Sequence, residues 1–329
     1  MAGAWRGRYR IVGHMAEILF IKTSSLGDVI HHMPALTDAR RALPEARFSW
    51  LVEEAFAPLV ALHPGVGEVI PVAWRRWRKS LYVPATLAEI AANLRRIKTR
   101  RYDAIVDSQG LLRSAIIARV ARGRRHGYDM RSIREPVASL FYNARYTVSR
   151  GLHAVERNRL LTGFALGYTP SGKPDFGLDR AKLAVPGGRF AVLLHATARA
   201  EKEWAEDNWI ELGNALSGSG LELVLPWGGE AERTRAERIA SRLTGVRVAE
   251  RRPLDQMARL IAGASFVVGV DTGLLHLAAA LSVPLAAIFT GSEPGLTGPV
   301  GSGRIVVLGA PGKPPTPAAV ARALETMMS

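Results

Sequence analysis

The stretch KTSSLGDVIHH (22–32) places hydroxyl groups, a glycine, a carboxylate and two histidines directly after an apolar run. Such residues occur in P-loops, in metal sites and in the acceptor sites of transferases. The stretch has neither the G-x-x-x-x-G-K-[ST] nor the G-x-G-x-x-G spacing, so P-loops and dinucleotide fingerprints are excluded. His31 and His32 are adjacent, whereas metal ligands on one helix stand three or four residues apart. Asp28 remains the candidate functional group, with capping of the following helix as its alternative role.

The stretch GVDTGLLHLAAAL (269–281) is the strongest local signal. A buried strand ends just before Asp271, and Thr272 and Gly273 open an apolar helix. The free amides and the positive dipole end of this helix form a site suited to a phosphate. Gly273 is a poor helix former, which indicates close approach of the backbone to a ligand, and His276 follows one turn later. The alternative role of Asp271 is that of a plain N-cap.

Two further loops carry polar groups past strand ends. HATARAEKEW (195–204) offers the hydroxyl of Thr197 and the cation of Lys202. PWGGEAERTRA (226–236) places Glu232 beside a Gly-rich turn, where an acid often binds ribose hydroxyls. Surface acids near helix starts are also common, so this second signal is weak alone. No Asp-x-Asp occurs, which removes the usual way in which a sugar-nucleotide enzyme holds a divalent ion.

Short apolar runs alternate with longer amphipathic stretches. Strands are predicted at Ile18–Lys22, Phe48–Val52, Glu68–Val72, Ala104–Asp107, Phe190–His195, Leu221–Leu225, Phe266–Val270, Leu285–Phe289 and Arg304–Leu308. Helices are predicted at Leu87–Ile97, Trp209–Ser217, Glu230–Leu243, Leu254–Ala262 and Thr316–Met328. This alternation predicts an α/β protein with two Rossmann-like, doubly wound domains facing a central cleft. Ligands bind at the carboxyl ends of strands in such sheets, where the candidate residues lie.

The domain limits follow from a Pro- and Gly-rich segment at 169–189, which predicts an interdomain linker. We expect an N-terminal domain at 15–175 and a C-terminal domain at 176–310. Residues 1–14 are expected to form a disordered extension. Residues 311–329 are expected to end in a helix that packs back on the N-terminal domain.

The formal net charge of +15 is concentrated in the first half of the chain. Residues 1–170 contain 27 Lys and Arg against 13 Asp and Glu, whereas residues 171–329 contain 17 against 16. This asymmetry predicts a polyanionic partner: nucleic acid, an anionic lipid surface or a phosphorylated substrate. The absence of cysteine excludes disulfides and thiolate metal sites. No apolar run reaches the roughly 18 residues of a membrane helix, and we expect a cytoplasmic protein without a signal peptide.

The chain resembles the lipopolysaccharide heptosyltransferases in several stretches that occur in the same order. These are KTSSLGD, WRRWRK (74–79), DSQGLLRSA (107–115), REPVASLFYN (134–143), HAVERNR (153–159), HATARAEKEW, LPWG and VDTGLLHL. The resemblance runs from about Met15 to the end of the chain. Its details fit the heptosyltransferase I group, which adds the first heptose of the inner core.

The resemblance implies a GT-B architecture and an inverting transfer of L-glycero-D-manno-heptose from ADP-heptose to a Kdo residue of Kdo2-lipid A. It implies no metal and no cofactor. The expected protein is a monomer in peripheral contact with the anionic cytoplasmic face of the inner membrane, and it binds no nucleic acid. The C-terminal domain would hold ADP-heptose and the N-terminal domain the acceptor.

Site residues follow from the resemblance position by position. It implies that Asp28 is the catalytic base and that Lys202 takes part in catalysis. Donor binding is assigned to Thr197, Lys202, Glu232, Asp271, Thr272, Gly273 and His276. Acceptor binding is assigned to Ser24, Ser25, Gly27, Arg75, Arg76, Arg78, Lys79, Arg113 and Arg134. Trp74 and Trp77, interleaved with the cations of 74–79, are expected to rest on the membrane interface.

Other functions stay open on the sequence alone. The close alternative is heptosyltransferase II, which extends an existing heptose. From a different class, the basic half predicts a nucleic-acid-binding protein, although no RNA- or DNA-binding motif accompanies the charge. A sugar-nucleotide sensor without activity is the third alternative, and the presence of Asp28 and Lys202 argues against it.

Overall fold

The computed structural model describes residues 15–184, 188–217 and 220–328. The chain divides into two units after Gly177, close to the predicted limit at 175. The predicted extension at 1–14 lies outside the described residues. Within the described part of the chain, no helix combines the length and apolar character needed to cross a membrane.

The first unit is built on a six-stranded parallel sheet. Its strands are β1 (Glu17–Ile21), β2 (Arg47–Glu53), β3 (Glu68–Val72), β4 (Arg101–Asp107), β5 (Arg122–Tyr128) and β6 (Ala144–Tyr146). They pair in the order β3-β2-β1-β4-β5-β6, so the strand order reverses between β1 and β4. The sequence of β1, EILFI, is a continuous apolar run because both faces of a parallel sheet are covered.

Seven α-helices of the first unit are described. They are α1 (Leu26–Ile30), α2 (Met33–Ala42), α3 (Ala57–Val60), α4 (Trp74–Trp77), α5 (Pro84–Thr99), α6 (Leu112–Val120) and α7 (Ala154–Leu166). Short 3-10 helices lie at Glu54–Phe56 and Pro136–Phe141. Helices α2 and α7 pack together, and a buried ion pair of 2.7 Å joins Asp38 to Arg159. Gly167 ends α7 with a φ of 82°, a left-handed conformation that favours glycine.

The second unit repeats this topology. Its strands are β7 (Phe190–Leu194), β8 (Glu222–Leu225), β9 (Val246–Val248), β10 (Phe266–Val270), β11 (Leu285–Ile288) and β12 (Ile305–Leu308). Its helices are α8 (Arg180–Leu183), α9 (Glu206–Leu216), α10 (Glu230–Ala240), α11 (Leu254–Gly263), α12 (Gly273–Ala280) and α13 (Pro317–Met328), with a 3-10 turn at Ala200–Lys202. The parallel order β12-β11-β10-β7-β8-β9 reverses between β7 and β10.

The terminal helix α13 belongs to the second unit. Val320, Leu324 and Met327 are buried in the same core as Trp209 of α9, against which α13 packs. These contacts account for the buried face of α13 within the second unit, and the prediction that the helix packs back on the first domain stays a prediction. Its apolar positions recur at three- and four-residue spacing, which predicts a helix but carries no information about its partner.

Sequence patterns missed three strands, namely β5, β6 and β9. Strand β5 reads RGRRHGY, whose arginines and glycines give no strand signal. It is held by hydrogen bonds to both neighbours, β4 and β6, so tertiary pairing overrides its local preference. By contrast, β3 and β10 have the predicted limits at both ends.

Candidate active site

The carboxyl ends of β7 and β10 bring the most polar cluster of the second unit together. Leu194 pairs with Gly269, so the loops that follow these neighbouring strands emerge side by side. Lys202 Nζ lies 2.6 Å from Asp271 Oδ2, and Thr197 Oγ1 donates to the main-chain oxygen of Asp271 at 2.9 Å. The structure thus places three predicted donor-binding residues in direct contact.

Asp271 is the centre of this cluster. Ser292 Oγ donates to Asp271 Oδ2 at 2.6 Å, and His276 Nε2 lies 3.8 Å from Oδ1. Burial raises the pKa of this carboxyl, but hydrogen bonds from His276, Lys202 and Ser292 outweigh burial and hold the pKa below its usual range. The carboxylate is therefore ionised at neutral pH. The side chains of Asp271 and Lys202 are 12% and 19% exposed, so both are accessible to a ligand.

Helix α12 begins beside this cluster. Thr272 is its N-cap residue and has extended backbone geometry, but its side chain caps no backbone amide. Gly273 is the first residue of the helix. The partial positive charge of a helix N-terminus attracts anions, so this end of α12 complements Lys202 as a site for phosphate oxygens. The alternative role of Asp271 as the N-cap is excluded, since Thr272 occupies that position.

Glu232 lies in the first turn of α10. Its Oε2 accepts a hydrogen bond of 2.6 Å from the amide of Gly228. Trp227 donates through Nε1 to the carbonyl of Ala249 at 2.7 Å, and the Arg233 guanidinium lies 5.6 Å from the Trp227 ring. Glu232 therefore fixes the Gly-rich turn, and it is half-buried with one oxygen committed to that turn.

In the first unit, the loops after β1 and β4 are joined by one side-chain amide. Gln109 Oε1 accepts from the main-chain amides of Thr23 at 2.9 Å and Ser24 at 3.0 Å. Lys22 Nζ donates to the carbonyl of Ser108 at 3.0 Å, and burial lowers the pKa of this lysine. These bonds determine the path of the backbone that leads to Asp28. None of these pairings is visible in the spacing of the sequence.

Asp28 is half-buried in the first turn of α1. Its Oδ2 accepts from the amide of Ser25 at 2.8 Å and from Ser25 Oγ at 3.0 Å. The capping role is therefore real, and it leaves Oδ1 without a hydrogen bond from the part of the chain that the structure describes. Gly27 is buried within α1, and Arg113 donates through Nη2 to Ser24 Oγ at 2.9 Å. The structure thus gathers four of the predicted residues around Asp28.

The two adjacent histidines are structural. His32 is fully buried, shares a hydrogen bond of 3.1 Å with Ser108 Oγ, and meets Phe20 and Trp50 edge to face. Burial lowers its pKa well below the usual value, so it is neutral. His31 is also buried. Within the described residues, no group of three or more His, Asp or Glu side chains is placed to hold a metal ion.

The basic stretch 74–79 divides into structural and accessible residues. Arg76 forms ion pairs with Glu54 at 3.0 Å and Glu89 at 2.7 Å, which raise its pKa. The Arg75 guanidinium lies 5.0 Å from the Phe56 ring. Arg78, Lys79 and Arg134 are exposed and have no ion pair with a described acid.

One expectation for this stretch is wrong. Trp77 is only 6% exposed and belongs to the core of the first unit, so it does not rest on a membrane. Trp74 is 37% exposed. An alternation of Trp and Arg does not reveal which Trp faces inward. Helix α4 is a single turn, too short for a repeating pattern that would tell its inward side from its outward side.

Three contributors to these clusters were missed by sequence reasoning. Ser292 follows β11, the neighbour of β10, and Gln109 follows β4, the neighbour of β1. Asp107, at the end of β4, accepts hydrogen bonds from Tyr142 Oη at 2.7 Å and from the amide of Gln109 at 2.9 Å. Polar residues just past the ends of central strands were the available signal.

The chain matches the model of glycosyltransferase family 9 (heptosyltransferase) over residues 90–323. It is 48% identical to a lipopolysaccharide heptosyltransferase 1 of Pseudomonas aeruginosa, covering 88% of this chain and 82% of that protein. A lipopolysaccharide heptosyltransferase 2 of Salmonella typhimurium is 25% identical over 86% of this chain and 85% of that protein. The structure of Escherichia coli heptosyltransferase WaaC with ADP matches with a TM-score of 0.88 and 43% identity, over 94% of this chain and 99% of that chain.

Proposed function

The chain belongs to glycosyltransferase family 9, the heptosyltransferases, and we propose that it transfers L-glycero-D-manno-heptose from ADP-heptose to Kdo of Kdo2-lipid A with inversion. The observation that carries this proposal is the Lys202–Asp271 cluster beside the N-terminus of α12. Similarity to heptosyltransferase 1 favours addition of the first heptose over addition of the second.

The second unit provides the donor site. The ammonium of Lys202 has three N–H donors, and Asp271 takes one of them. The remaining donors, with the hydroxyl of Thr197 and the amides at Thr272 and Gly273, are suited to the diphosphate. They neutralise the charge that grows on the departing ADP, as a metal ion does in other enzymes. Asp271, with Ser292 and His276 holding its carboxylate, accepts hydrogen bonds from heptose hydroxyls.

The first unit provides the base. Inversion requires the acceptor hydroxyl to attack from the side opposite the departing diphosphate, so its proton must be removed on that side. Asp28 has one carboxylate oxygen held by Ser25, which fixes its orientation, while Oδ1 remains to take the proton. A positioned base of this kind is typically worth about 10²–10⁴-fold in rate.

Acceptor binding falls to the cations of the same unit. Arg78, Lys79 and Arg134 are exposed, so they can pair with the carboxylates of Kdo and the phosphates of lipid A. Arg113 reaches Ser24 in the loop that precedes Asp28, which places a cation near the base. Arg76 already pairs with two glutamates, so its role is to hold the stretch 74–79 in place.

The expected location is the cytoplasmic face of the inner membrane, because the acceptor is anchored there by its acyl chains. The excess positive charge of the first half supports this, since anionic lipids attract basic surfaces. Trp74 adds an exposed aromatic ring beside Arg78 and Lys79.

Transfer of heptose from ADP-heptose tests the proposal. Wild-type protein is incubated with Kdo2-lipid A or with the same acceptor already carrying one heptose, with and without EDTA. We expect transfer to Kdo2-lipid A alone and no effect of EDTA. Transfer only to the heptosylated acceptor would assign the second step instead. Absence of transfer to either acceptor, with ADP-heptose bound, would overturn the proposal.

A further inference from the structure

Exposed apolar side chains are concentrated in the first unit. Of the fifteen large hydrophobic side chains that are exposed among the described residues, twelve belong to this unit. The same half of the chain carries nearly all the excess positive charge. Apolar and cationic side chains exposed together are typical of surfaces that bind anionic membranes.

Helix α6 is apolar on both faces. Ala115 and Ala118 are fully buried against the sheet side, whereas Leu112 and Ile116 are 37% and 48% exposed. Leu112, Ile116 and Arg119 are spaced four and three residues apart, so they form one outward stripe. A surface helix normally carries polar residues on its outward face. The apolar side chains of this stripe are therefore exposed, and no other part of the described chain covers them.

The 3-10 helix Pro136–Phe141 packs against α6 and exposes apolar side chains of its own. Val137 and Leu140 are 57% and 58% exposed, and residues three apart share one face of a 3-10 helix. The amide of Leu112 donates to Glu135 Oε2 at 2.6 Å, which ties the two helices together. The side chains of Leu112, Ile116, Arg119, Val137 and Leu140 are called the docking face below.

The segment that contains the docking face has many more arginines than acids. Residues 112–140 contain seven arginines and two carboxylates. Glu135 accepts from Leu112, and Asp129 accepts hydrogen bonds from Ser132. Arg119 has no ion pair with a described acid. Burial lowers the pKa of the Arg125 guanidinium, and the charge of nearby Arg119 lowers it further. Cations without counter-charges in the protein attract anions from outside it.

The docking face adjoins the residues that we assign to the acceptor. Arg113, next to Leu112 in sequence, donates to Ser24 Oγ at 2.9 Å. The amide of Glu135 donates to the carbonyl of Gly110. Gly110 lies in the loop after β4, which also contains Gln109, the partner of the Thr23 and Ser24 amides. A surface bound here would therefore lie beside the acceptor loop.

We propose that the docking face binds the anionic membrane surface, with its apolar side chains in the headgroup region and Arg119 on lipid phosphates. This inference rests on the proposed function, since a lipid-linked acceptor must be reached at the bilayer. A second copy of the chain fits less well, because a two-fold symmetric contact would bring the same arginines opposite each other. The face is distinct from the stretch 74–79, whose exposed cations we assign to the acceptor.

Flotation with vesicles tests the docking face without any transfer reaction. Wild type is mixed with vesicles of phosphatidylcholine containing phosphatidylglycerol, or of phosphatidylcholine alone. We expect binding to the anionic vesicles. Partitioning should fall about 100-fold in Ile116→Ser/Leu140→Ser, since each apolar side chain removed costs about tenfold. Arg119→Gln should reduce partitioning about fivefold.

Matched variants come from the second unit. Leu296 and Val307 are 49% and 42% exposed, so Leu296→Ser/Val307→Ser removes comparable apolar surface. Arg259→Gln removes an exposed arginine. These controls should bind vesicles as wild type does. Equal losses in both sets would show non-specific attraction and overturn the inference. A wild-type dimer that Ile116→Ser/Leu140→Ser makes monomeric, with vesicle binding unchanged, would assign the face to self-association instead.

Transfer assays separate this inference from the proposed function. With an acceptor freed of acyl chains, Ile116→Ser/Leu140→Ser should match wild type, whereas with acceptor in vesicles its rate should fall with its partitioning. A wild type that binds vesicles but transfers heptose to neither acceptor leaves the docking face intact and rejects the proposed function. A wild type that transfers heptose but floats with no vesicle rejects the docking face.

Discussion

Each unit has a carboxyl group at the carboxyl end of its fourth strand, and the pKa values of these two groups are shifted in opposite directions. Asp107 at the end of β4 is fully buried, and burial raises its pKa despite hydrogen bonds from Tyr142 and the loop amides. Asp271, just past the end of β10, has a lowered pKa because a lysine, a serine and a histidine contact it. Equivalent positions in one topology therefore serve different tasks.

Depth in the sheet explains the difference. Asp107 pairs with Ile21 within the ladder, whereas Asp271 lies one residue beyond the last residue of β10. The deeper acid can reach only neighbouring hydroxyl and amide groups, so it holds the scaffold. The shallower acid meets Lys202 and a ligand. In the first unit the accessible acid is instead Asp28, supplied by the loop after β1.

The largest expected effect is that of Asp28→Asn. An amide keeps the hydrogen bond from the Ser25 amide but cannot take a proton, so kcat should fall about 10²–10⁴-fold at unchanged thermal stability. The measurement is heptose transfer at saturating ADP-heptose, with ADP affinity measured in parallel. Glu45→Gln, at an exposed acid of the first unit, should leave kcat unchanged. A kcat of Asp28→Asn near that of wild type would leave Asp28 with the capping role alone.

Lys202→Met should have the next largest effect. Without the ammonium, charge growing on ADP loses a preorganised partner, so kcat/KM should fall about 10²–10³-fold. The matched change in the first unit is Lys22→Met, since Lys22 is buried and bonds a main-chain carbonyl. Lys22→Met should alter the free energy of unfolding and leave ADP affinity unchanged. Loss of ADP affinity in Lys22→Met but not in Lys202→Met would contradict the assignment of donor binding to the second unit.

The sequence could predict the central sheets better than the contacts at their ends. Strands β3 and β10 are short and mainly apolar, and both were predicted with their observed limits. Strand β5 was not, because its pairing with β4 and β6 is non-local. The same limit applies to helix α13, whose apolar face fits any core and whose packing against α9 the sequence did not predict.

For the site, residue types that follow central strands were predictable, but their partners were not. Thr197, Lys202 and Asp271 were named because each follows the end of a predicted strand, whereas the pairing of those two strands was not predicted. Ser292 lies twenty-one residues beyond Asp271, and its contact depends on the position of β11 beside β10. Trp77 was placed on the surface because inward and outward positions of a single helical turn cannot be told apart from sequence.

The pH dependence of stability should differ in sign between the two carboxylates. The pKa of Asp271 is lowered, so its ionised form stabilises the fold above the ordinary value of 3.8, and this contribution is lost as the pH falls below it. The pKa of Asp107 is raised, so stability is lost as the pH rises above 3.8. Urea unfolding of Asp271→Asn and Asp107→Asn across this range measures both effects. If the free energy of unfolding relative to wild type changed with pH in the same direction for both variants, the comparison would be contradicted.

The smallest expected effects come from the two serines that donate to the site carboxylates. Ser292→Ala removes a partly buried bond to Asp271, so the KM for ADP-heptose should rise about fivefold, equivalent to about 1 kcal/mol. Ser25→Ala removes an exposed bond to Asp28, where the Ser25 amide still donates to the same oxygen, so kcat should change less than about twofold. Steady-state kinetics with both variants would settle the order. A larger loss for Ser25→Ala would mean that the orientation of Asp28 depends on the hydroxyl, and that the accessible acid of the first unit is held by its side-chain neighbours as Asp271 is.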